Sequence, residues 1–261
     1  MVAKIISTVL FIILASSSSY SSEITFLTHS VKGNSYLDSK GELRGIKHSG
    51  RRAFQIELIR EMMMEVNVSS RLIETLPFKR ALKMIIANRK QYALFNVIKR
   101  QDRLKIMKFV GPLTQDTTFF YDLSAEPSNL NNREEAKSMS ICVLRGSAQI
   151  TEAIKHGFTN IILNTYENCF KMLVNNRVRY AVISHLDLLG VLRNANIDPK
   201  QINNTMIPLY KSEGSISFSN QVPDKEVAKW QSALDTIKQS GRYDQLSEEY
   251  LRPATKKETP S

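Results

Sequence analysis

The strongest candidate for binding chemistry in this sequence is Arg103, which follows a short apolar strand predicted over residues 93–98. Its guanidinium group presents parallel N–H donors, so it can hold a carboxylate in a bidentate contact. Phe109 and a Gly111-Pro112 break come soon after and predict the end of this unit. The pattern indicates a carboxylate clamp at Arg103, with a solvated surface charge as the alternative.

A second candidate for binding an anion is Ser147, which follows Gly146 between a predicted strand and a predicted helix. Backbone N–H groups at the start of a helix have no partner within the helix and attract negative charge. The Ser147 hydroxyl adds one more donor, although a serine at such a position often serves only as a helix cap. Both explanations stay open from the sequence.

The predicted elements that position these residues alternate between strands and helices. Strands are predicted over residues 24–29, 70–75, 93–98, 140–144, 161–163 and 179–183, and helices over 53–65, 78–88, 148–156, 166–175 and a segment ending near 192. A C-terminal helix with Asp224 as its N-cap is predicted to end at Gly241, and a shorter helix covers 243–250. Residues 32–41 are predicted as a loop. This alternation is typical of mostly parallel sheets covered by helices.

The amino terminus predicts a secretory signal peptide over residues 1–22. A basic start containing Lys4 is followed by an apolar run from Ile5 to Ala15 and then by a serine-rich stretch suited to cleavage. The apolar run is shorter than the roughly 20 residues that span a bilayer comfortably, so an uncleaved anchor is the less favoured alternative. No cysteine follows the run, which argues against a lipoprotein. We therefore expect an exported, periplasmic chain without a membrane span after cleavage.

The chain is basic, with 36 Lys and Arg residues against 25 Asp and Glu residues. The excess lies in residues 23–113, which hold 18 basic against 8 acidic side chains; residues 114–212 hold 10 against 9, and residues 213–261 hold 7 against 8. A basic segment attracts an anionic ligand or an acidic polymer, and ordinary solvated surface charge is the alternative. Nucleic acid is not expected as a partner, because the chain is exported and carries no nucleic-acid-binding motif.

Two cysteines, Cys142 and Cys169, would meet an oxidising compartment in an exported protein. Cys142 lies on a predicted strand and Cys169 on the helix after the next strand, so a disulfide is one option and two separate buried thiols are the other. Four scattered histidines and the lack of a Cys/His cluster predict no metal site. No cofactor is expected either.

The layout around Arg103 resembles that of the family 3 extracellular solute-binding proteins, best known as the polar amino acid receptors of ABC importers. In that family a strand leads to a Thr-x-x-Arg turn and then to a Phe-Ser-x-Pro-Tyr hinge segment. Here Arg100 replaces the threonine, and residues 109–113 read Phe-Val-Gly-Pro-Leu. The predicted C-terminal helices and the Gly-x-Tyr turn between them are also similar to the family pattern.

The resemblance implies an α/β fold of the two-lobed type II periplasmic-binding-protein class. Each lobe would be a mostly parallel sheet flanked by helices, and two strands would form the hinge. The large lobe would consist of residues 23–113 and 213–261, and the small lobe of residues 114–212. Ligands of such receptors bind in the cleft between the lobes, which close by a hinge motion.

The resemblance also assigns roles to individual residues. The implied ligand-binding residues are Arg103, Ser147, Tyr36, Phe78, Asn96, Ile98 and Ser184. Arg103 and Ser147 would hold an acid group, and Tyr36 and Phe78 would form aromatic walls, with ordinary packing as the alternative for both rings. At the end of the predicted strand over residues 93–98, the side-chain amide of Asn96 and the backbone of Ile98 would complete the site.

The main departure from the family is at Arg179 and Ser184, where its amino acid receptors carry acidic residues, the second of which pairs with the ligand's ammonium group. A desolvated ammonium without a counter-charge is unfavourable, so a standard α-amino acid is not expected unless Asp187 reaches the cleft. Residues 47–52, Lys-His-Ser-Gly-Arg-Arg, also differ from short family members. They form either a cationic lip or simply a longer loop, and the longer loop is favoured.

The sequence therefore predicts noncatalytic capture of a small polar or anionic ligand, amino acid-like or an organic acid, by a monomeric receptor that serves an ABC permease. A sensory or envelope-associated binding module of the same fold, acting on a membrane sensor, is the first alternative. A lyase similar to cyclohexadienyl dehydratases is the second. Such a lyase needs an acid or base with a tuned pKa, for which His185 and Asp187 are the only candidates.

Overall fold

The computed structural model describes residues 24–68 and 73–252, so the signal peptide predicted over residues 1–22 lies outside the described residues. The strands are β1 (Thr25–Thr28), β2 (Ser35–Leu37), β3 (Leu43–Gly45), β4 (Ile73–Thr75), β5 (Tyr92–Ile98), β6 (Lys108–Leu123), β7 (Ile141–Leu144), β8 (Ile161–Asn164), β9 (Tyr180–Ser184) and β10 (Ile202–Phe218). The helices are α1 (Arg51–Glu65), α2 (Phe78–Ala87), α3 (Ala148–Lys155), α4 (Tyr166–Val174), α5 (Leu188–Ala195), α6 (Asp224–Gln239) and α7 (Arg242–Leu251).

Eight strands form one sheet in the order β4-β1-β5-β10-β6-β9-β7-β8, and β2 pairs with β3 in a separate hairpin. At one end of the sheet β1 runs parallel to β4 and β5, and at the other end β7 runs parallel to β8 and β9. Strands β6 and β10 are antiparallel to each other and to the strands beside them. The predicted mostly parallel sheet with flanking helices is confirmed.

The sheet has two halves, because separate hydrophobic clusters pack against its two ends. One pair of clusters joins β1 and β5 to α1, α2, α6 and α7, and we call this group of elements, with β2–β4, the first lobe. Another pair joins β7 and β9 to α3, α4 and α5, and we call this group, with β8, the second lobe. The long strands β6 and β10, paired from Lys108 to Leu123, run through both.

The apolar pattern of the sequence explains most of these elements. Helix α1 buries Phe54, Leu58 and Met62 completely, at the spacing of one helical face. Trp230 of α6 packs against Phe26 of β1, with ring centroids 4.7 Å apart. Helix α6 thus returns the C-terminal part of the chain to the first lobe.

Three local predictions are wrong. Helix α1 begins at Arg51 instead of residue 53, directly after Gly50, whose positive φ of 88° ends the preceding loop. Pro223 occupies the N-cap position of α6, and Asp224 is the first helical residue, where its charge still suits the helix dipole. The loop predicted over residues 32–41 contains β2, which is held against β3.

Cys142 of β7 and Cys169 of α4 form a disulfide, with Cα atoms 5.4 Å apart. Of the two options that the sequence left open, the structure contains the bridged one. The bond ties α4 to the sheet of the second lobe. Within residues 24–68 and 73–252, no helix combines the length and apolar character that a membrane span requires.

Candidate binding site between the lobes

A cavity of about 380 Å³ lies between the two lobes and is lined by residues from both. Six of the predicted ligand-binding residues line it: Phe78, Asn96, Ile98, Arg103, Ser147 and Ser184. No Asp or Glu side chain of the described part of the chain lines this cavity. A larger, adjoining cavity of about 1050 Å³ shares five lining residues with it: Ile98, Arg100, Ala148, Tyr210 and Ser212.

Tyr36 does not join the other predicted residues. It lies on the β2–β3 hairpin opposite Arg44, and it is 51% exposed outside the cavity lining. The aromatic wall is instead formed by Phe78 and His29, whose ring centroids are 4.6 Å apart. His29 directly follows β1 and is the last residue of the strand predicted over residues 24–29, so its place at a strand end was the signal that sequence reasoning missed.

The contacts of His29 define its tautomer. Its Nε2 lies 2.9 Å from the carbonyl oxygen of Asn96, which can only accept, so Nε2 carries the proton. Its Nδ1 then accepts from the Ser30 hydroxyl at 3.0 Å. Burial and the nearby Arg52 lower the pKa of His29 to about 3. The ring is therefore neutral at physiological pH.

Arg103 lies at the end of a 3-10 turn formed by residues 101–103. Its Nη1 donates to the carbonyl oxygen of Ile98 at 3.2 Å, and its Cζ lies 5.7 Å from the centroid of the Phe78 ring. The backbone of Ile98 thus positions Arg103. Among the described residues no carboxylate forms an ion pair with Arg103, and burial, together with Arg100, lowers its pKa. The guanidinium is therefore available to an anion in the cavity.

Asn96 adopts a positive φ of 61° at the end of β5 and is held from several sides. Its backbone N–H donates to Gln55, and its Nδ2 donates to the Thr28 hydroxyl at 2.8 Å. Its Oδ1 is buried without a hydrogen-bond partner in the described structure. A buried acceptor of this kind is costly unless a donor reaches it, so Asn96 offers one acceptor to a ligand.

Ser147 occupies the N-cap position of α3, but its side chain makes no capping hydrogen bond. Its Oγ is buried and has no hydrogen-bond partner among the residues described. Gly146, with a positive φ of 77°, forms the turn that brings the chain from β7 into α3. The unpartnered hydroxyl and the N–H groups at the very start of the helix together provide donors from the second lobe, while the N–H of Ile150 bonds to the Ser147 carbonyl oxygen.

The Ser184 hydroxyl is already engaged, because it donates to Oδ2 of Asp116. The neighbouring Asp187 is also engaged: Arg51 Nη2 lies 2.6 Å from its Oδ2 and Arg51 Nε lies 3.3 Å from its Oδ1. Burial disfavours the charge of Asp187, but Arg51 and Arg52 outweigh burial and lower its pKa. Burial raises the pKa of Asp116. Neither Ser184 nor Asp187 is free to pair with a ligand's ammonium group.

The interpretation of residues 47–52 as simply a longer loop is wrong for its last two members. Arg51 and Arg52 form the first turn of α1, and both line the cavity. Arg51 is paired with Asp187, whereas Arg52 forms no ion pair within the described residues and donates from Nη1 to the carbonyl oxygen of His29 at 3.2 Å. Burial and the adjacent Arg51 lower the pKa of Arg52. The pair of arginines was visible in the sequence, but their placement on the helix was not.

No protein-family model and no curated protein matches this chain. Among solved structures it is similar to a mutant of ArgBP from T. maritima (TM-score 0.65, 14% identity, covering 86% of this chain and 93% of that one). It is also similar to a histidine kinase sensor domain with similarity to periplasmic binding proteins (TM-score 0.67, 12% identity, covering 88% and 98%). A third similar structure is the GluR0 ligand-binding core from Nostoc punctiforme in complex with L-glutamate (TM-score 0.66, 15% identity, covering 86% and 97%). The chain has the two-lobed type II periplasmic-binding-protein fold.

Proposed function

We propose that this chain is an exported solute-binding protein that reversibly captures a small anionic molecule between its two lobes, without breaking a bond. The observation that carries this proposal is the pair of open donors on opposite sides of one cavity. The first lobe supplies the Arg103 guanidinium without an ion pair, and the second lobe supplies the buried Ser147 hydroxyl without a partner, in the part of the chain described. A carboxylate between them would satisfy both.

The same cavity argues against a ligand that depends on an ammonium group. A desolvated ammonium needs a carboxylate nearby, but the carboxylates closest to the cavity serve the protein itself. Asp187 pairs with Arg51, and Asp116 accepts from Ser184. An organic acid therefore fits the site better than a standard α-amino acid does.

The proposed mechanism places residues 23–113 and 213–261 in one moving body and residues 114–212 in the other. The long strands β6 and β10 would act as the hinge, because they are the strands that continue through both lobes. Closure brings Ser147 and Arg103 onto the same ligand. Monomeric action in the periplasm and delivery to an ABC permease are parts of the proposal that rest on the resemblance.

A sensory module is the second candidate function. The similarity to a histidine kinase sensor domain favours it, because the same fold serves there within a sensor. A receptor for import should bind a permease in its ligand-loaded form, whereas a sensory module should bind a membrane sensor. A ligand-dependent pull-down from membranes separates the two. The lyase alternative receives no support from Asp187, whose carboxylate is held by Arg51.

The proposal is tested by thermal unfolding of the purified chain in the presence of amino acids, organic acids, polyamines and short peptides. A ligand at about 100 times its Kd should stabilise the protein by about 2.7 kcal/mol. Arg103→Ala should abolish most of that stabilisation. Arg80→Ala is the matched control, because Arg80 is exposed on α2 outside the cavity. Stabilisation only by cations, indifferent to Arg103→Ala, would contradict the proposal.

A further inference from the structure

The charged residues that line the smaller cavity share one sign. The described lining contains five arginines and no carboxylate; the arginines are Arg51, Arg52, Arg100, Arg103 and Arg145. Four of them, Arg51, Arg52, Arg100 and Arg103, belong to the basic first part of the sequence. Like charges gathered in one cleft attract an oppositely charged molecule.

Two of these arginines are neutralised by the protein itself. Arg51 forms its ion pair with Asp187, and Arg100 Nε lies 2.9 Å from Oδ1 of Asp102. The remaining three, Arg52, Arg103 and Arg145, form no ion pair within residues 24–68 and 73–252. The cavity therefore has positive charge left over after every internal pair is counted.

Arg52 and Arg103 contact different members of the His29–Phe78 ring pair. Arg52 donates to the backbone of His29, and Arg103 lies over the ring of Phe78. The two rings are 4.6 Å apart from centroid to centroid. The guanidinium groups are thus held beside one pair of rings, tilted by 45° to each other, so a ligand that contacts both rings can meet the two arginines with two separate acid groups.

Arg52 is the more informative of the two, because its charge is partly buried and adjacent to another positive charge. A buried charge is unfavourable unless a counter-charge accompanies it. Its hydrogen bond to the carbonyl oxygen of His29 contributes a dipole and no net charge. Burial and Arg51 lower the pKa of Arg52, and the more distant Asp187 offsets this only in part. An anion held next to Arg52 would remove this penalty.

We propose that the ligand is an organic anion with at least two acidic groups, one held by Arg103 and Ser147 and the other by Arg52. This inference rests on the proposed function and specifies the substrate class. Arg52 is then a specificity-determining residue, since it separates multivalent from monovalent anions. Arg145, exposed at the second-lobe side of the cavity, adds to the positive field.

The test compares butyrate, succinate and propane-1,2,3-tricarboxylate, titrated at constant ionic strength and at about pH 7.5, where these acids are ionised. Calorimetric titration should give a Kd for succinate about tenfold or more below that for butyrate, since each added charge-assisted contact is worth about that factor. The tricarboxylate should bind at least as tightly as succinate. Equal affinities for the monocarboxylate and the dicarboxylate would overturn the inference.

The variants separate a specific contact from general attraction to a basic protein. Arg52→Gln should reduce the difference between succinate and butyrate to less than about threefold, and Arg52→Lys should restore part of it. Arg103→Gln should weaken both ligands. Arg80→Gln changes the net charge by the same amount on the outer surface of α2 and should change neither Kd. An equal loss in Arg52→Gln and Arg80→Gln would overturn the assignment of Arg52.

The outcomes also distinguish this inference from the proposed function. If no carboxylate binds while another compound of the thermal screen does, the multivalent-anion inference fails and solute binding stands. If nothing in either panel binds, both fail. Circular dichroism of Arg52→Gln confirms that the variant is folded, and Arg52→Lys provides a second variant that keeps the charge.

Discussion

The two neighbouring arginines at the start of α1 mark two regions of the interlobe gap that differ in charge balance. Around Arg51 the lobes are joined by a closed ion pair: the side chains of Arg51 and Asp187 are only 13% and 8% exposed, and Asp116 lies within 4.0 Å. Around Arg52 the charge has no such partner among the described residues. The protein itself supplies the counter-charge of Arg51, whereas a counter-charge for Arg52 would come from a bound anion.

The two cavities show the same contrast. The lining of the larger cavity mixes both signs: its acidic members are Asp102, Asp116, Glu152 and Glu213, and its basic members are Lys99, Arg100, Lys155 and Lys211. The lining of the smaller cavity carries only positive side chains in the described structure. We place the proposed site in the smaller cavity, because charges of one sign in a cleft attract an oppositely charged ligand, whereas volume carries no information about charge.

The largest effect is expected from breaking the closed ion pair. Asp187→Asn leaves Arg51 buried without a counter-charge and should lower the free energy of unfolding by about 3 kcal/mol. The matched control is Asp102→Asn, which removes the partner of Arg100; because Asp102 is 62% exposed, solvent screens this pair and the free energy of unfolding should hardly change. Urea unfolding measures both. Similar small losses would show that the Arg51 region is not a structural link.

A second prediction concerns the protonation of His29, whose backbone carbonyl accepts a hydrogen bond from Arg52. Because the pKa of His29 is lowered from 6.5 to about 3 in the folded protein, the neutral form is favoured by folding. Its contribution to stability is complete above pH 6.5 and is lost as pH falls from 6.5 toward 3. The loss is at most about 1.4 kcal/mol per pH unit, or about 2 kcal/mol at pH 5. Urea unfolding at several pH values should show a shallower slope for His29→Gln.

Removing the charge of Arg52 should change the free energy of unfolding in the opposite direction from breaking the ion pair between Arg51 and Asp187. Arg52→Gln should raise the free energy of unfolding of the ligand-free protein by about 1 kcal/mol, because a partly buried charge that has no ion pair of its own is removed. Arg51→Gln, the adjacent control, should lower it, since Asp187 would remain buried without its partner. The comparison uses urea unfolding in chloride buffer. Losses of the same size in both variants would contradict the contrast between the two regions.

The smallest effect is expected at Tyr36. Because Tyr36 is half exposed on the β2–β3 hairpin, Tyr36→Ala should change the Kd of the tightest ligand of the screen by less than about threefold. Phe78→Ala removes one ring of the cavity wall and should weaken binding by about tenfold. Calorimetric titration measures both variants. A large loss in Tyr36→Ala would show that the hairpin moves over the cavity.

Local patterns predicted much of the fold, because strand and helix periodicity depends on residues close together in the chain. The apolar spacing of α1 and the strand before Arg103 appear where they were expected. The full lengths of β6 and β10 were not predicted. Both contain a proline, Pro112 and Pro208, and polar stretches that weaken the strand signal, and their pairing joins residues far apart in sequence.

Some features of the candidate site could likewise be predicted from local sequence, and others could not. Arg103 and Ser147 could be selected from the sequence because each stands at a recognisable boundary, after a strand and before a helix. The contact between the rings of His29 and Phe78 and the hydrogen bond from Ser184 to Asp116 could not be predicted, because each depends on a residue from another element.

The sequence by itself determined the alternation of strands and helices and the excess of positive charge in its first part, since both follow from residue type and short-range spacing. Only the tertiary structure decided which of those positive charges are paired with a carboxylate. Arg51 and Arg52 are identical in type and adjacent in the chain, but one meets Asp187 from 136 positions away and the other meets a backbone carbonyl. A counter-charge is a long-range contact, and folding alone brings it within reach.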